Sequence, residues 1–204
     1  MFVMTMDQRG SRRTGDLVEP LLAELAHLAD APGTVRPFAR TVGDEVQAAL
    51  ADPDLVVEIA LAVTRRGGWS VGIGVGPVEL PLPADVRAAT GPAFVLARDA
   101  VERAKGRGRP VPLAVAGVGV TAAADAEAVL VLLGSVATRR TEAGWAVIDA
   151  LTPGSVTQEE VAERLGISQQ AVSQRLRGAL WPEEPPVRAA AARLLARAAE
   201  PEDR

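Results

Sequence analysis

TQEEVAERLGISQQAVSQRLRGAL, residues 157–180, is the stretch whose reading decides the architecture. Thr157 and Glu160 stand in T-x-x-E spacing, a capping box that starts a helix by satisfying free backbone N–H groups. Val161, Ala162 and Leu165 give that helix one apolar stripe. Ala162 is small where a second helix must cross closely. Gly166 marks the turn, because a positive φ costs glycine little. Ser168 can cap the second helix, whose Val172 and Leu176 face inward at i, i+4 spacing. The positions left outside are Gln169, Gln170, Ser173, Gln174 and Arg177.

The spacing of Ala162, Gly166 and Val172 resembles the helix-turn-helix family, two short helices set at an angle by a tight turn. The resemblance implies double-stranded DNA as a partner, met by Ser168, Gln169, Gln170, Ser173, Gln174 and Arg177. In the major groove, glutamine can contact adenine and arginine guanine in a bidentate manner. The competing reading of the same residues is a plain helical hairpin with a polar surface.

Composition limits the rest. The 204 residues suffice for one large domain or two small ones, and 48% are hydrophobic, enough for a sizeable core. The chain has no cysteine, which excludes disulfides, thiolate metal sites and a cysteine nucleophile. The formal net charge is −4, so DNA contact has to come from a local patch. Lys105 is the only lysine; arginine supplies the other basic side chains, a bias expected of a high-GC bacterial genome. The N-terminal FVMTMD is too short for a signal peptide. No unbroken apolar run reaches the ~18 residues of a membrane span. The expected location is a bacterial cytoplasm, with no membrane partner.

Residues 2–6 read as a short strand ending at Asp7, and leucines at helical spacing follow over 15–30. TVRPFARTV (34–42) and EVQAALA (45–51) form a hairpin around Gly43-Asp44. Asp52-Pro53 opens a helix to about Arg66, with Val57, Ala60, Leu61 and Thr64 on one side, and Gly67-Gly68 ends it. WSVGIGVGPVEL (69–80) is a glycine-studded strand, Thr90-Gly91-Pro92 starts a helix to about Lys105, GRGRP (106–110) turns, and VPLAVAGV (111–118) is the next strand. GIGVG lies inside a strand, which excludes a dinucleotide-binding fingerprint. The order β-α-β-β-α-β-α-β suits an antiparallel or mixed sheet with helices on one face. From about Thr121 the chain reads as helix only, with EEPP (183–186) as a break before an amphipathic closing helix. The expected units are an α/β domain over 1–119 and a helical DNA-binding domain over 120–204. Ala128–Val136 is expected in a core, with a dimer seam as the alternative.

Asp7 ends the first strand, and Asp44 and Glu45 stand at the hairpin tip. Carboxylates clustered there repel unless a cation joins them. Mg²⁺ takes such oxygens together with nucleotide phosphates. The following QRGSRR, residues 8–13, can cradle a triphosphate with its backbone N–H groups and arginines. The competing reading is that Gly43-Asp44 is simple turn chemistry.

RTVGDEVQAAL (40–50), GWSVGIGVGPVE (68–79) and TGPAFVLARDAVERAK (90–105) resemble the SatD family of bacterial proteins and, more distantly, class III and GGDEF-type nucleotide cyclases. The resemblance implies an α+β chain: a ferredoxin-like, nucleotide-cyclase-like palm of β-α-β-β-α-β type, followed by an all-α helix-turn-helix domain. It implies metal contacts at Asp7, Asp44 and Glu45. It implies a nucleotide held by Gln8, Arg9, Gly10, Ser11, Arg12, Arg40, Gly43 and Arg98. Departures accompany it. Arg40 stands where class III cyclases carry a base-recognising lysine. Val95 and Asp99 stand where they carry an Asn and an Arg, and Arg98 is one residue off register. Losing that preorganised charge removes the largest catalytic contribution, so binding is expected to outlast cyclisation.

The sequence therefore points to a homodimeric DNA-binding transcriptional regulator whose palm senses a nucleotide, with half-sites about one helical turn (~34 Å) apart. The alternatives are a metal-dependent cyclase or nucleotidyltransferase tethered to DNA, and a palm used only for dimerisation. His27, the sole histidine, has no partner histidine and is expected to be structural. Arg98, Glu102 and Lys105 share a helix face, as solvated ion pairs or as a phosphate contact.

Overall fold

The computed structural model describes residues 1–106, 108–151 and 156–201; Arg107, within the turn expected at 106–110, lies outside them. The strands are β1 (Phe2–Gln8), β2 (Thr34–Arg40), β3 (Glu45–Leu50), β4 (Trp69–Val75) and β5 (Leu113–Gly117). Among them run α1 (Ser11–Thr14), α2 (Val18–Leu25), α3 (Pro53–Arg66) and α4 (Pro92–Ala104). After β5 come α5 (Val120–Arg139), α6 (Glu142–Leu151), α7 (Gln158–Leu165), α8 (Gln169–Gly178) and α9 (Glu184–Arg197). The order β-α-β-β-α-β-α-β is the one expected.

The strands make one mixed sheet ordered β2-β3-β1-β4-β5. β1 lies antiparallel to β3 and β4, pairing Met4 with Ala48 and Ile73, while β5 runs parallel to β4. Alternation along β1 assigns the faces. Phe2, Met4 and Met6 enter the main core with Leu21 of α2, Ile59 of α3, Leu130 of α5 and Leu195 of α9. Val3 and Ala49 enter a second, smaller core under Ala93, Phe94 and Ala97 of α4.

Helices thus cover both faces of the sheet, whereas the sequence pattern suggested one. The reason lies in the glycines of β4. A Cβ on Gly74 would stand 2.1 Å from the Ala93 carbonyl oxygen and 2.3 Å from the Ala97 nitrogen. One on Gly72 would stand 2.3 Å from the Val101 nitrogen. Strand glycines mark such close backbone approach, and α4 answers them with buried Ala93, Ala97, Ala100 and Ala104. The connection from β4 through α4 to the parallel β5 therefore runs directly over β4.

The expected division at 119/120 does not break the packing. Ala126 and Leu130 of α5 and Ala191 and Leu195 of α9 are buried in the same core as the sheet, because both helices turn small apolar faces toward it. The separate cluster is α6–α8, built on Val147, Ile148, Val161, Ala162, Val172, Leu176 and Ala179. Glu183–Pro186 is not a break: Glu184, Pro185 and Pro186 form the first turn of α9, where proline's missing N–H has no partner to lose. By length and mean hydropathy α5 could cross a membrane. Part of its apolar content packs into the main core: Leu130 is fully buried and Gly134 lies against Val111 and Thr64 of α3, while Val120 and Leu132 are exposed. The expectation of a core role for Ala128–Val136 holds at Leu130, Leu133 and Gly134, while Leu132 is exposed.

Gly74→Ala and Gly72→Ala are each expected to destabilise the protein by about 1–3 kcal/mol, the scale of overpacking, because backbone cannot move aside as a side chain would. Gly178→Ala at the end of α8 serves as a control, with open space around the new Cβ. Urea unfolding midpoints check the difference.

Candidate nucleic-acid interface and the polar end of the sheet

α7 begins with the capping box. The Glu160 N–H donates to Thr157 Oγ1 at 3.2 Å, and the Thr157 N–H donates to Glu160 Oε2 at 2.7 Å. Gly166 takes φ 64° at the turn. Ser168 Oγ accepts from the Ala171 N–H at 3.2 Å and starts α8. Val161 and Ala162 pack on Val172 and Leu176, and α6 closes the three-helix core with Val147 and Ile148.

The outer surface of α8 is free. Gln169, Gln170, Gln174 and Arg177 are exposed and Ser173 is half-buried. Ser168 is exposed at the cap. The charge around them is mixed. α7 presents exposed Glu159, Glu160, Glu163 and Arg164, and α8 adds Arg175 and Arg177.

Arginines join this unit to the body. Arg140, directly after α5, donates from Nε to the Ala179 carbonyl at 2.8 Å and pairs with Glu184 of α9. The two side chains are only 1% and 4% exposed. Arg188 adds a second contact to Glu184 at 2.6 Å. Arg65 of α3 bonds Asp149 of α6 through both terminal nitrogens, at 2.6 and 2.7 Å. Its guanidinium stacks 3.7 Å above the Trp145 ring, with Arg140 beside it at 4.8 Å. These cations over a tryptophan face gain from the ring quadrupole. Sequence reading missed all of them; two of the three tryptophans flanking the helix-turn-helix were the available signal.

At the end of the sheet where α3 runs into β4, β1 places Asp7 opposite Glu45 and Ser70. Asp7, Asp44 and Glu45 do not form a divalent-ion site: among the described residues, no three acidic or histidine side chains converge on one point. The Asp7 carboxylate instead meets the Lys105 ammonium at 2.8 Å, and the Glu45 carboxylate accepts from the Thr41 hydroxyl. Burial pushes the Asp7 carboxyl up against the lowering effect of Lys105, and the Asp44 and Glu102 carboxylates add to the rise. Burial works to lower the Lys105 pKa, but its bonds to Asp7 and Glu102 outweigh this and the shift is upward.

The expected phosphate cradle is dispersed. Gln8 is buried and structural: its amide donates to the Thr14 hydroxyl and the Gly15 carbonyl and accepts from the Leu17 N–H. Gly10 takes φ 73° before α1, a single turn of four residues bearing Ser11 and Arg12. Exposed Arg9 is anchored through its N–H to the Gly68 carbonyl. Arg40 pairs with Asp16 at 2.6 Å and donates to the carbonyl of Gly43, another expected contact, at 3.1 Å. Exposed Arg98 borders a different cleft of about 290 Å³ with Arg87, Thr41, Glu45, Gln47, Phe94 and Val95. The Arg98, Glu102 and Lys105 face divides: Glu102 and Lys105 pair at 2.7 Å, and Arg98 faces the cleft. His27 accepts or donates through Nδ1 at the Glu24 carbonyl, 2.8 Å away, a local helix-end contact.

A three-helix unit with cap, turn glycine, cap and an open second helix is a helix-turn-helix. Residues 153–180 match the family model of sigma-70 region 4, and the match spans α7 and α8. No curated protein and no solved structure matches the chain.

Two outcomes test this construction. Removing one member of a buried pair strands the other charge, so Glu184→Ala is expected to cost about 3–5 kcal/mol, while Arg140→Met with Glu184→Leu recovers most of it; denaturant titration reads both. Hydrogen bonds from Thr157 hold the Glu160 carboxyl below its ordinary value of 4.5. The stability it adds is present above that value and is lost as pH falls through the lowered one. Glu160→Gln keeps the capping box without a titrating group, so its helix-turn-helix signal is expected to decline less than that of the parent chain below about pH 4.5. Circular dichroism melts across an acid series measure the difference.

Proposed function

We propose that the chain is a DNA-binding transcriptional regulator in which α8 enters the major groove and the sheet region receives a nucleotide. One observation carries the first half. Gln169, Gln170, Gln174 and Arg177 stand exposed in a row on a helix whose mount is fixed by two caps and a turn glycine. Long polar side chains on a rigid helix are the groups that read base edges. The similarity of the same stretch to sigma-70 region 4 supports a role in transcription. A second copy of the chain would supply the other half-site, and a role on DNA agrees with the cytoplasmic location expected from the sequence.

The charge balance sets how the contact behaves. Arg164, Arg175 and Arg177 are the basic groups of the unit, against Glu159, Glu160 and Glu163. Few phosphates are neutralised, so affinity rests on base edges and on pairing of two units more than on counterion release.

For the ligand, the β-α-β-β-α-β arrangement supports a palm like that of nucleotide cyclases. The cleft beside Arg98 offers an exposed guanidinium, Phe94 and a volume of about 290 Å³. Val95 and Asp99, in the places of the catalytic Asn and Arg, favour binding without turnover. A signal passes only if the ligand prefers one arrangement of the dimer.

Selection from a random duplex library followed by fluorescence anisotropy is the test. Gln170→Ala and Gln174→Ala are expected to shift sequence preference, and Arg177→Ala to weaken binding by about 1–3 kcal/mol if it reads a guanine. The slope of log K against log salt is expected at about −2 to −3 per protomer, near −0.9 for each phosphate contacted. Unchanged binding in all three variants would place the reading surface elsewhere. Thermal shift with ATP, GTP and cyclic nucleotides, repeated in Arg98→Ala, tests the cleft; no shift with any of them leaves the sheet region as a dimerisation platform.

A further inference from the structure

The outer face of a helix on a protein surface ordinarily carries charge. α5 departs from this. Its outward positions hold exposed Ala124, Ala128 and Leu132, with Val136 half-buried beside them. Leu132 is 62% exposed. Next to Leu132 and Val136 a hollow of about 220 Å³ opens toward Val187 of α9 and Leu180. Leu180 stands directly after the C-cap of α8 with φ 52°. Glycine is the usual residue at that place, because it has no Cβ to strain. A leucine held there in the left-handed region, 48% exposed, keeps an apolar side chain at the rim of the hollow. Contiguous apolar surface of this kind marks an interaction site.

The charges on the stripe say what covers it. Asp125, Ala128, Leu132, Val136 and Arg139 follow one another at intervals of three, four, four and three residues, the spacing of one helix face. The pattern is symmetric about Leu132. In a two-fold pair residue i meets j and j meets i. An antiparallel pairing of two α5 helices centred on Leu132 therefore sets Asp125 against Arg139 of the second copy, and Ala128 against its Val136, each contact occurring twice. Acid meets base at the outer step, and small meets larger at the inner one. Asp125 and Arg139 are both exposed, and neither has an ion-pair partner among the described residues.

We propose that this face of α5 seats a second copy of the chain, packed antiparallel across a two-fold axis at Leu132. The inference deepens the regulator reading, on which it rests for the use of the pair, by giving the two α8 units their common interface.

Sedimentation equilibrium of the full chain tests it. The parent is expected at twice the chain mass at micromolar concentration. Asp125→Arg and Arg139→Asp each set like charges opposite one another at both ends of the seam, and each is expected to weaken the pair by about tenfold or more. Leu132→Glu brings two carboxylates together on the axis, with the same result expected. Equal parts of the Asp125→Arg and Arg139→Asp chains are expected to recover the parental mass, since each then meets the opposite charge. Far-UV circular dichroism is expected to stay parental throughout, because all three positions are exposed. A parent chain that sediments as a monomer overturns the proposal, as does a pair that both charge variants leave intact or a mixture that stays monomeric. Anisotropy on the selected duplex separates the two readings: a monomer that still selects its sequence overturns the seam alone, and a charge-dependent pair without affinity for DNA overturns only the reading of α8.

Discussion

The relation between the helix-turn-helix and the rest of the molecule depends on one buried ion pair. Arg140 and Glu184 are almost wholly withdrawn from water. Each would be costly there alone, since desolvation of an ion is repaid only by a well-placed partner and further hydrogen bonds. The further bonds are present: Arg140 also holds the Ala179 carbonyl beyond α8, and Arg188 also holds Glu184. One charge therefore ties three segments, the end of α5, the end of α8 and the start of α9. The aim of the recognition surface relative to the sheet is set at this point and, across the unit, by Arg65 between Asp149 and Trp145.

The sheet region obeys a steric constraint of a different kind. Gly72 and Gly74 remove side chains where α4 must touch β4, and the alanines of α4 remove them from the other side. This close approach frees the opposite face for α2, α3, α5 and α9 around one larger core. It also brings the C-terminus of α4 down to the end of β1, where Lys105 meets Asp7. The polar end of the sheet is thus a consequence of how α4 crosses it.

Much of this was legible in the chain. The Thr157–Glu160 box, the Gly166 turn, the Ser168 cap and the Asp52-Pro53 start of α3 are local interactions, spanning at most a few residues, and each formed as expected. The hairpin at Gly43-Asp44 followed from turn chemistry in the same way, whereas the strand expected over 69–80 stops at Val75. The candidate ligand groups fared differently. Arg40 has an acidic partner on the approach to α2, Gln8 is consumed by the α1 turn, and Asp7 is taken by a lysine from the far side of the fold. Position in a motif does not reveal which neighbour will claim a side chain.

The amino-acid sequence alone determined the elements and their caps, because capping, turn formation and hydrophobic period act within a turn or two of the backbone. It also determined that the outer positions of α8 would be polar and open. Tertiary structure alone decided that helices cover both faces of the sheet, that α5 and α9 belong to its core, and that Lys105 pairs with Asp7. Those outcomes depend on close approach and on charge pairing between residues far apart in the chain, and such pairs are selected by burial and distance in the folded molecule.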